Sequence, residues 1–301
     1  MRSAREFVAV WSLLLALASR TGAAAPLPGD ARLAAAIPAI EAAIARSGAE
    51  VAVAFRSLDD RSSWYLRADE PFHAASTMKV PVLIELYHQA RGGRVHLTDP
   101  LLIRNRFASL ADGSSYALDP ADDSETGLYR DVGGTRTLAQ LSELMITVSS
   151  NLATNLLIER LGVGNIRSTV HALAADDMKV LRGVEDSKAF QAGLNNTTTA
   201  RALERLMSAI ARGEAVDAAS SRAMREILER QSFNDGIPAG VPPGTRVAHK
   251  TGEITRIQHD AAIVYAPRPF VLVILTRGIE DPKESSALIA TIARQVYAAT
   301  Q

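Results

Sequence analysis

The order of secondary-structure signals along this chain of 301 residues predicts an α+β fold, in which an antiparallel sheet is flanked by terminal helices and carries an inserted all-α lobe. Two strand patterns come early, at residues 51–58 and 63–66. Three more come late, at residues 246–250, 260–265 and 270–275. Between residue 76 and about residue 230, nearly every periodic segment has helical spacing. Two strands alone form at best a marginal hairpin, so we expect both groups of strands to pair in one sheet.

Local signals mark where the helices begin and end. An Ala-rich helix is predicted at residues 31–46, and the last helix at residues 285–299. Thr137 and Gln140 have the spacing of a capping box at the start of a helix with an apolar stripe. Two further helices are predicted at residues 151–161 and 198–211, and Gly162 and Gly213 mark their C-terminal ends.

Residues 1–24 have the pattern of a secretory signal. Arg2 and Arg5 precede an apolar run at residues 7–18, and the small residues 22–24 supply a cleavage point. The alternative, a membrane anchor, is disfavoured because the run is far shorter than the roughly 20 apolar residues that a spanning helix needs. We therefore expect a chain exported to the bacterial periplasm or exterior, without a membrane anchor after cleavage.

Composition limits the partners of the exported chain. The sequence has 33 basic and 33 acidic residues, and loss of three arginines and one glutamate with the signal leaves a formal charge of −2. This balance favours neither nucleic acid nor an anionic membrane as a partner. The absence of cysteine excludes disulfides and thiolate chemistry. Residues 25–301 are expected to form one monomeric domain, with an α/β lobe (25–75 and 240–301) and a helical lobe (76–239).

The sequence has only five lysines, and one of them, Lys79, stands three residues after Ser76. A guanidinium cannot lose its proton in a protein, whereas a buried ammonium can, so lysine here indicates a base. Residues three apart on a helix share a face and can touch. The pair has the residue types of an activated serine nucleophile. Taken alone, it could equally be a capping serine with a surface lysine.

Two further motifs strengthen the interpretation of Ser76 and Lys79 as a catalytic pair. Ser149-Ser150-Asn151 lies between two predicted helices, and Lys250-Thr251-Gly252 lies at the end of a predicted strand. Alone, the first is a helix N-cap and the second an edge-strand lysine before a turn. Together, in this order and in an exported chain, the three motifs are a specific combination. No H-E-x-x-H, C-x-x-C, G-x-x-x-x-G-K or G-x-S-x-G pattern occurs, so neither a metal ion nor another cofactor is expected.

At these motifs the chain resembles the penicillin-recognising serine enzymes, most closely the class A β-lactamases. The resemblance covers nearly all of residues 25–301 and implies the β-lactamase/transpeptidase-like fold. It also implies a small-molecule substrate, either a β-lactam or a D-alanyl peptide. By this resemblance Ser76 is the nucleophile, Lys79 holds or takes its proton, and Ser149, helped by Lys250, relays a proton to the departing nitrogen.

The resemblance also implies how substrate is bound. Asn151 would hydrogen-bond the substrate's side-chain amide, and Lys250 and Thr251 would bind its carboxylate. The backbone N–H groups of Ser76 and Glu253 would form the oxyanion hole, while Gly252 would let the substrate lie close against the strand.

Deacylation separates the candidate functions, because a lactamase must hydrolyse its acyl-enzyme quickly. In the family a loop glutamate positions the water, and Glu185 occupies the corresponding loop. Two departures from the family pattern occur: Ala189 replaces an asparagine and Ser150 replaces an aspartate. Asn195 or Asn196 could replace the missing water ligand, and Glu185 could instead be a loop carboxylate paired with Arg182.

The sequence therefore predicts a serine β-lactamase-like hydrolase. The alternatives are a D-alanyl-D-alanine peptidase and a penicillin-binding sensor that deacylates slowly. The stretch 104–136, rich in Asp, Gly and Ser, is predicted to be a loop-dominated insertion beside the cleft.

Overall fold

A computed structural model describes residues 28–301, and the predicted signal at residues 1–24 lies outside this part of the chain. The strands of the main sheet are β1 (Glu50–Ser57), β2 (Ser63–Leu66), β3 (Arg246–Ile254), β4 (Ile257–Tyr265) and β5 (Phe270–Arg277). The α-helices are α1 (Pro28–Ser47), α2 (Lys79–Arg91), α3 (Leu138–Thr147), α4 (Asn151–Leu161), α5 (Val163–Ala172), α6 (Ser187–Gln191), α7 (Ala200–Arg212), α8 (Ala218–Leu228), α9 (Ile237–Gly240) and α10 (Pro282–Thr300). None of the helices within this part is both long and apolar enough to cross a bilayer.

The five main strands form one antiparallel sheet in the order β2-β1-β5-β4-β3. The first strands of the chain therefore pair with the last ones, and Ala54 of β1 lies opposite Val273 of β5. This pairing confirms the predicted α+β fold with strands from both chain ends. Strand β3 lies at an edge of the sheet, where alternate backbone N–H and C=O groups have no strand partner.

Each face of the sheet is covered by a separate apolar core. On one face, α1 and α10 pack on the larger side chains of β1, such as Val51, Val53 and Phe55. On the other face, α7 and the helical middle of the chain pack on the small residues Ala52 and Ala54. Because successive strand residues point to opposite faces, the alternation of large and small residues in β1 decides which layer each face meets.

Strand β3 is longer than the sequence pattern indicates. It continues through Ile254, because residues 251–254 pair with residues 257–260 of β4 across a tight turn. Arg256 in this turn has a φ of 59°. The Lys250–Gly252 motif therefore lies inside the edge strand, and the prediction that it ends the strand is wrong.

The insertion at residues 104–136 is loop-dominated, as predicted, but it contains local structure. Residues 107–108 pair with 115–116, and Pro100–Leu102 pairs with Thr135–Thr137 at its base. Short 3₁₀ turns occur at Pro120–Asp122 and Gly127–Asp131. The Thr137–Gln140 capping box that follows is formed, which confirms the predicted start of α3.

Candidate active site

Ser76 lies on a short 3₁₀ turn, Ala75–Met78, that leads directly into α2. The turn is fixed on both sides: Ala74 N donates to Asn196 O (2.8 Å), and the Thr77 hydroxyl donates to Ala74 O (2.5 Å). Ala75 has a φ of 45°, in the region that disfavours residues with a Cβ. Such a backbone conformation persists only where the surrounding structure holds it.

Left-handed backbone recurs at this site. Within residues 28–301, seven non-glycine residues have positive φ, and three of them are Ala75, Ser149 (58°) and Glu185 (60°). These three lie next to or at predicted site residues on separate segments. Strain concentrated at one place in a fold is a signal of function that the sequence alone did not provide.

Lys79 is fully buried, and its Nζ donates three hydrogen bonds to the Ser149–Asn151 turn. The acceptors are Ser149 O (2.6 Å), Asn151 Oδ1 (2.8 Å) and Ser149 Oγ (3.1 Å). Ser76 is not among these hydrogen-bond partners in the described structure, in which the Nζ contacts only the Ser149–Asn151 turn. The predicted direct contact with Ser76 is therefore replaced by contact with Ser149.

Burial lowers the pKa of Lys79 to about 7, with the charges of Asp123 and Glu185 acting in the opposite direction. Removal from water disfavours the ammonium, so a large share of Lys79 is uncharged at neutral pH. An uncharged amine has a lone pair that can take a hydroxyl proton. Lys79 thus has the electrostatic property that a base needs.

The Ser149 hydroxyl is shared by two lysines. Lys250 Nζ lies 3.0 Å from Ser149 Oγ and also donates to Thr251 O (2.9 Å). Lys250 is fully buried, and its pKa lies well below the ordinary value, first because of burial and then because of the nearby Lys79 charge. A proton on either amine can pass to Ser149 through an existing hydrogen bond.

Asn151 connects this cluster to Glu185. Its Oδ1 accepts from Lys79, and its Nδ2 donates to Glu185 Oε1. Burial raises the pKa of Glu185 to about 7, assisted by the charges of Asp123 and Asp122, while the bond from Asn151 and the Lys79 charge oppose the rise. Glu185 is therefore partly protonated near neutral pH, as suits a group that takes a proton and returns it.

Glu185 does not pair with Arg182, and that alternative interpretation is wrong. The Arg182 guanidinium instead donates to Leu194 O (2.8 Å), Gly183 O (2.9 Å) and Asn195 Oδ1 (3.2 Å). Asn196 is also used within the loop, where its Oδ1 accepts from Leu181 N at 2.8 Å. Both asparagines that could have held a water thus brace the loop.

The insertion holds the loop that carries Glu185. The Asp186 carboxylate accepts from the Ser109 hydroxyl (2.7 Å), Leu110 N (2.8 Å) and Ala189 N (3.1 Å). The Tyr116 hydroxyl donates to Val184 O at 3.2 Å. Residues on both sides of Glu185 are therefore tied to the insertion. Sequence reasoning missed this anchoring, for which the only signal was the richness of the insertion in aspartate and serine.

Strand β3 packs tightly against the Ser76 turn. A Cβ on Gly252 would lie 3.0 Å from Ser76 N and 3.1 Å from Thr77 N, which is tighter than most real Cβ contacts and would require a small shift of the strand or the turn. Only glycine lets the edge strand approach the nucleophile candidate this closely. Thr251, the preceding residue, is half-buried and lines a neighbouring groove.

A cavity of about 350 Å³ opens between the Ser76 turn, the Glu185 loop and β3. Four predicted site residues line it: Ser76, Asn151, Glu185 and Glu253. Lys79, Ser149 and Lys250 are buried and linked to it through Asn151. Seven of the predicted site residues therefore either line this cavity or are buried beside the residues that line it. The other two, Thr251 and Gly252, lie on β3.

An antiparallel sheet with an inserted helical lobe, and a buried serine–lysine cluster at its edge, defines the β-lactamase/transpeptidase-like fold. The profile of the β-lactamase enzyme family matches residues 33–300, and the chain belongs to this family. A β-lactamase of Streptomyces fradiae is 29% identical over 300 residues, covering 95% of this chain and 92% of that protein.

Two solved structures extend the comparison. A β-lactamase of Sphaerobacter thermophilus has a TM-score of 0.74 and 26% identity, and the match covers 90% of this chain and 97% of that one. A variant of PBP-A, solved as an acyl-enzyme complex with penicillin G, has a TM-score of 0.75 and 28% identity, with coverage of 89% and 96%.

Proposed function

We propose that this chain is a class A-like serine β-lactamase, which opens the lactam ring through an acyl-enzyme on Ser76 and releases the product with water. The observation that carries the proposal is the Ser149 hydroxyl, which lies between two fully buried lysines. Both lysines have lowered pKa values, and that of Lys79 is about 7. A structural ion pair would need an ionised partner for each buried cation, whereas proton transfer needs an amine that can be neutral.

Acylation begins with attack of Ser76 Oγ on the lactam carbonyl carbon. Uncharged Lys79 takes the Ser76 proton on its lone pair, and for this its Nζ gives up at least one of its three contacts with the Ser149–Asn151 turn. As the ring C–N bond breaks, the nitrogen takes the Ser149 hydroxyl proton, and Lys79 then returns a proton to Ser149 along their 3.1 Å hydrogen bond. Ser149 is thus protonated again at the end, and the net change is the transfer of one proton from the Ser76 hydroxyl to the departing nitrogen.

The charge that develops on the carbonyl oxygen is stabilised by backbone N–H groups of Ser76 and Glu253. Glu253 belongs to edge strand β3, and Gly252 permits the close approach of this strand to Ser76. Lys250 and Thr251 bind the substrate carboxylate, whose negative charge favours the ammonium form of Lys250 and so opposes the effect of burial on its pKa. One N–H of Asn151 remains for the amide of the substrate.

Deacylation is assigned to Glu185. Its carboxylate takes a proton from water as the water oxygen bonds to the acyl carbon, and that proton returns to Ser76 Oγ as the ester bond breaks. The raised pKa of Glu185, about 7, makes both halves of this exchange accessible near neutral pH. Asn151, which donates to Glu185, orients the carboxylate toward the cavity.

A second candidate is a D-alanyl-D-alanine peptidase or a penicillin-binding protein that deacylates slowly. Two observations favour it: Ala189 stands in the loop at a family asparagine position, and Asn195 and Asn196 are engaged elsewhere. The likeness to PBP-A, a variant of which was solved as an acyl-enzyme complex with penicillin G, also fits this second candidate.

Turnover of a chromogenic cephalosporin by the protein without residues 1–24 tests the proposal. We expect sustained hydrolysis that is lost in Ser76→Ala. A burst of one equivalent with a lasting adduct on Ser76 would favour the second candidate. Hydrolysis that survives Ser76→Ala would overturn both.

We also propose that the chain is exported to the periplasm or exterior, loses residues 1–24, and acts as a monomer with one catalytic domain. The N-terminal mass and solution molar mass of the exported protein test this. A mature chain that retains residues 1–24 would contradict it.

A further inference from the structure

Asp123, in the insertion, has a buried carboxylate that reaches the start of α4. It is 7% exposed, and its Oδ2 accepts from Asn151 N (2.9 Å), Leu152 N (3.0 Å) and the Tyr129 hydroxyl (2.9 Å). The Ser150 hydroxyl lies 3.5 Å from the same oxygen. Neither the motif pattern nor the family resemblance pointed to this residue.

The hydrogen bonds to Asp123 satisfy backbone N–H groups at the N-terminus of α4. The first N–H groups of a helix have no partner within the helix, and its N-terminus favours negative charge. Ser150 caps Ala153 N at 3.2 Å but carries no charge. Asp123 therefore supplies, from a distant segment, the carboxylate that the start of α4 lacks.

The start of α4 is also the turn that holds Lys79. Asp123 fixes the backbone of Asn151, whose side chain contacts both Lys79 and Glu185. The preceding residue, Ser149, has a φ of 58° and contacts both lysines. A shift of this turn would change every hydrogen bond of Lys79.

Asp123 also acts through its charge. The charged groups around Lys79 are Asp123 and Glu185, which favour its ammonium, and Lys250, which opposes it. The hydroxyl of Tyr129 contacts Asp123 from the same insertion. Removal of Asp123 from this set would leave Glu185 as the carboxylate that favours the Lys79 ammonium, while Lys250 keeps the favourable charge of Asp260.

We propose that Asp123 is a positioning residue for the reaction at Ser76: its carboxylate holds the Ser149–Asn151 turn in place and, from that position, helps to set the charge of Lys79. This inference rests on the proposed acylation at Ser76. It gives the insertion a role in the chemistry, although none of the residues that line the cavity beside Ser76 belongs to the insertion.

The test compares Asp123→Asn with two other variants. Asp123→Asn/Ser150→Asp returns a carboxylate to the start of α4 at the N-cap, where aspartate is favoured. Asp217→Asn is the matched control, because Asp217 caps α8 through Ser220 N (2.7 Å), and α8 contributes no predicted site residue. The five lysines of the sequence can be followed individually by NMR of ¹³Cε-labelled protein.

We expect Asp123→Asn to lower the pKa of Lys79 and to slow acylation by a chromogenic cephalosporin about tenfold to 100-fold, since small misplacements have effects of this size. The pH dependence of acylation should move in the same direction. The double variant should recover most of the Lys79 pKa and most of the acylation rate. Asp217→Asn should change neither of these two quantities. If Asp123→Asn fails to fold, the double variant carries the test, and its Lys79 should titrate as in the parent protein.

An unchanged Lys79 titration and an unchanged acylation pH profile in Asp123→Asn, with lower thermal stability only, would overturn the proposal. So would failure of the double variant to restore either property. If no β-lactam acylates Ser76 in the parent protein, the proposed function fails, while the Lys79 titration still decides whether Asp123 sets its charge.

Discussion

Lys79 and Lys250 contact the same hydroxyl, with their Nζ atoms 3.1 and 3.0 Å from Ser149 Oγ. Two ammonium groups in this arrangement would repel each other, so burial and proximity both favour a neutral amine at one of them. The pair therefore explains why a chain that otherwise prefers arginine has lysine at these two positions. It also leads to the first prediction.

Lys79→Arg should abolish the base while keeping a cation in place. A guanidinium stays protonated in proteins, so we expect acylation by a chromogenic cephalosporin to slow by about 100-fold or more. Stopped-flow measurement of the burst rate checks this. Lys179→Arg, on the exposed side of the fold, is the control and should leave the rate unchanged. A near-normal rate in Lys79→Arg would remove Lys79 from the role of base.

Glu185→Gln should separate the two halves of the reaction. Acylation should continue, while hydrolysis of the acyl-enzyme slows by about 100-fold, because the amide cannot take a proton from water. Mass spectrometry should then find a lasting adduct on Ser76. In the parent protein, deacylation should fall as the pH drops through about 7, where Glu185 becomes protonated. Sustained turnover in Glu185→Gln would assign deacylation to another group.

The same substitution should affect stability in a pH-dependent way. The pKa of Glu185 is raised in the folded state, so this residue favours folding when protonated and opposes it when ionised. Its cost to stability grows as the pH rises from the ordinary glutamate range, about 4.5, to about 7. We therefore expect Glu185→Gln to raise the melting temperature at pH 8 more than at pH 5. An equal change at both values would contradict the burial of this carboxylate.

Gly252→Ala should impair the site through one added methyl group. The new Cβ would meet Ser76 N and Thr77 N at about 3 Å, so β3 or the Ser76 turn must move. We expect acylation to slow about tenfold to 100-fold, since misplacement of reacting groups has effects of this size. Gly164→Ala is the matched control, because nothing lies within 4 Å of its added Cβ and it lies inside α5. That variant should keep full activity, and its free energy of unfolding should rise by up to about 1 kcal/mol.

Asp186→Asn should slow deacylation without slowing acylation. Burial acts to raise the pKa of Asp186, but its bonds from Ser109, Ala189 and Leu110 outweigh this effect and lower the pKa. The ionised carboxylate thus ties the Glu185 loop to the insertion. Pre-steady-state kinetics should show a normal burst followed by a slower steady state. Glu159→Gln, which breaks an exposed pair with Arg104, serves as the control. Equal losses in both phases would mean that Asp186 supports the whole site and not this loop in particular.

Much of the fold was predictable because its signals are local. Alternation in β1, the capping box at Thr137 and the glycine after α4 each depend on neighbouring residues. The length of β3 was not predictable, since residues beyond Lys250 become a strand only by pairing with β4. The partner of Glu185 was also missed: Arg182 is near in sequence, but Asn151 is near in space.

By itself, the sequence determined the order of the elements, the family motifs and the scarcity of lysine that marks Lys79 and Lys250. Only the tertiary structure decided how those motifs act on each other. Burial brings the pKa values of Lys79 and Glu185 together near 7, and burial is a property of packing over the whole chain. The positions of Asp123 and Asp186 also depend on packing. Each carboxylate contacts a segment that is distant in sequence, and only folding brings the two together.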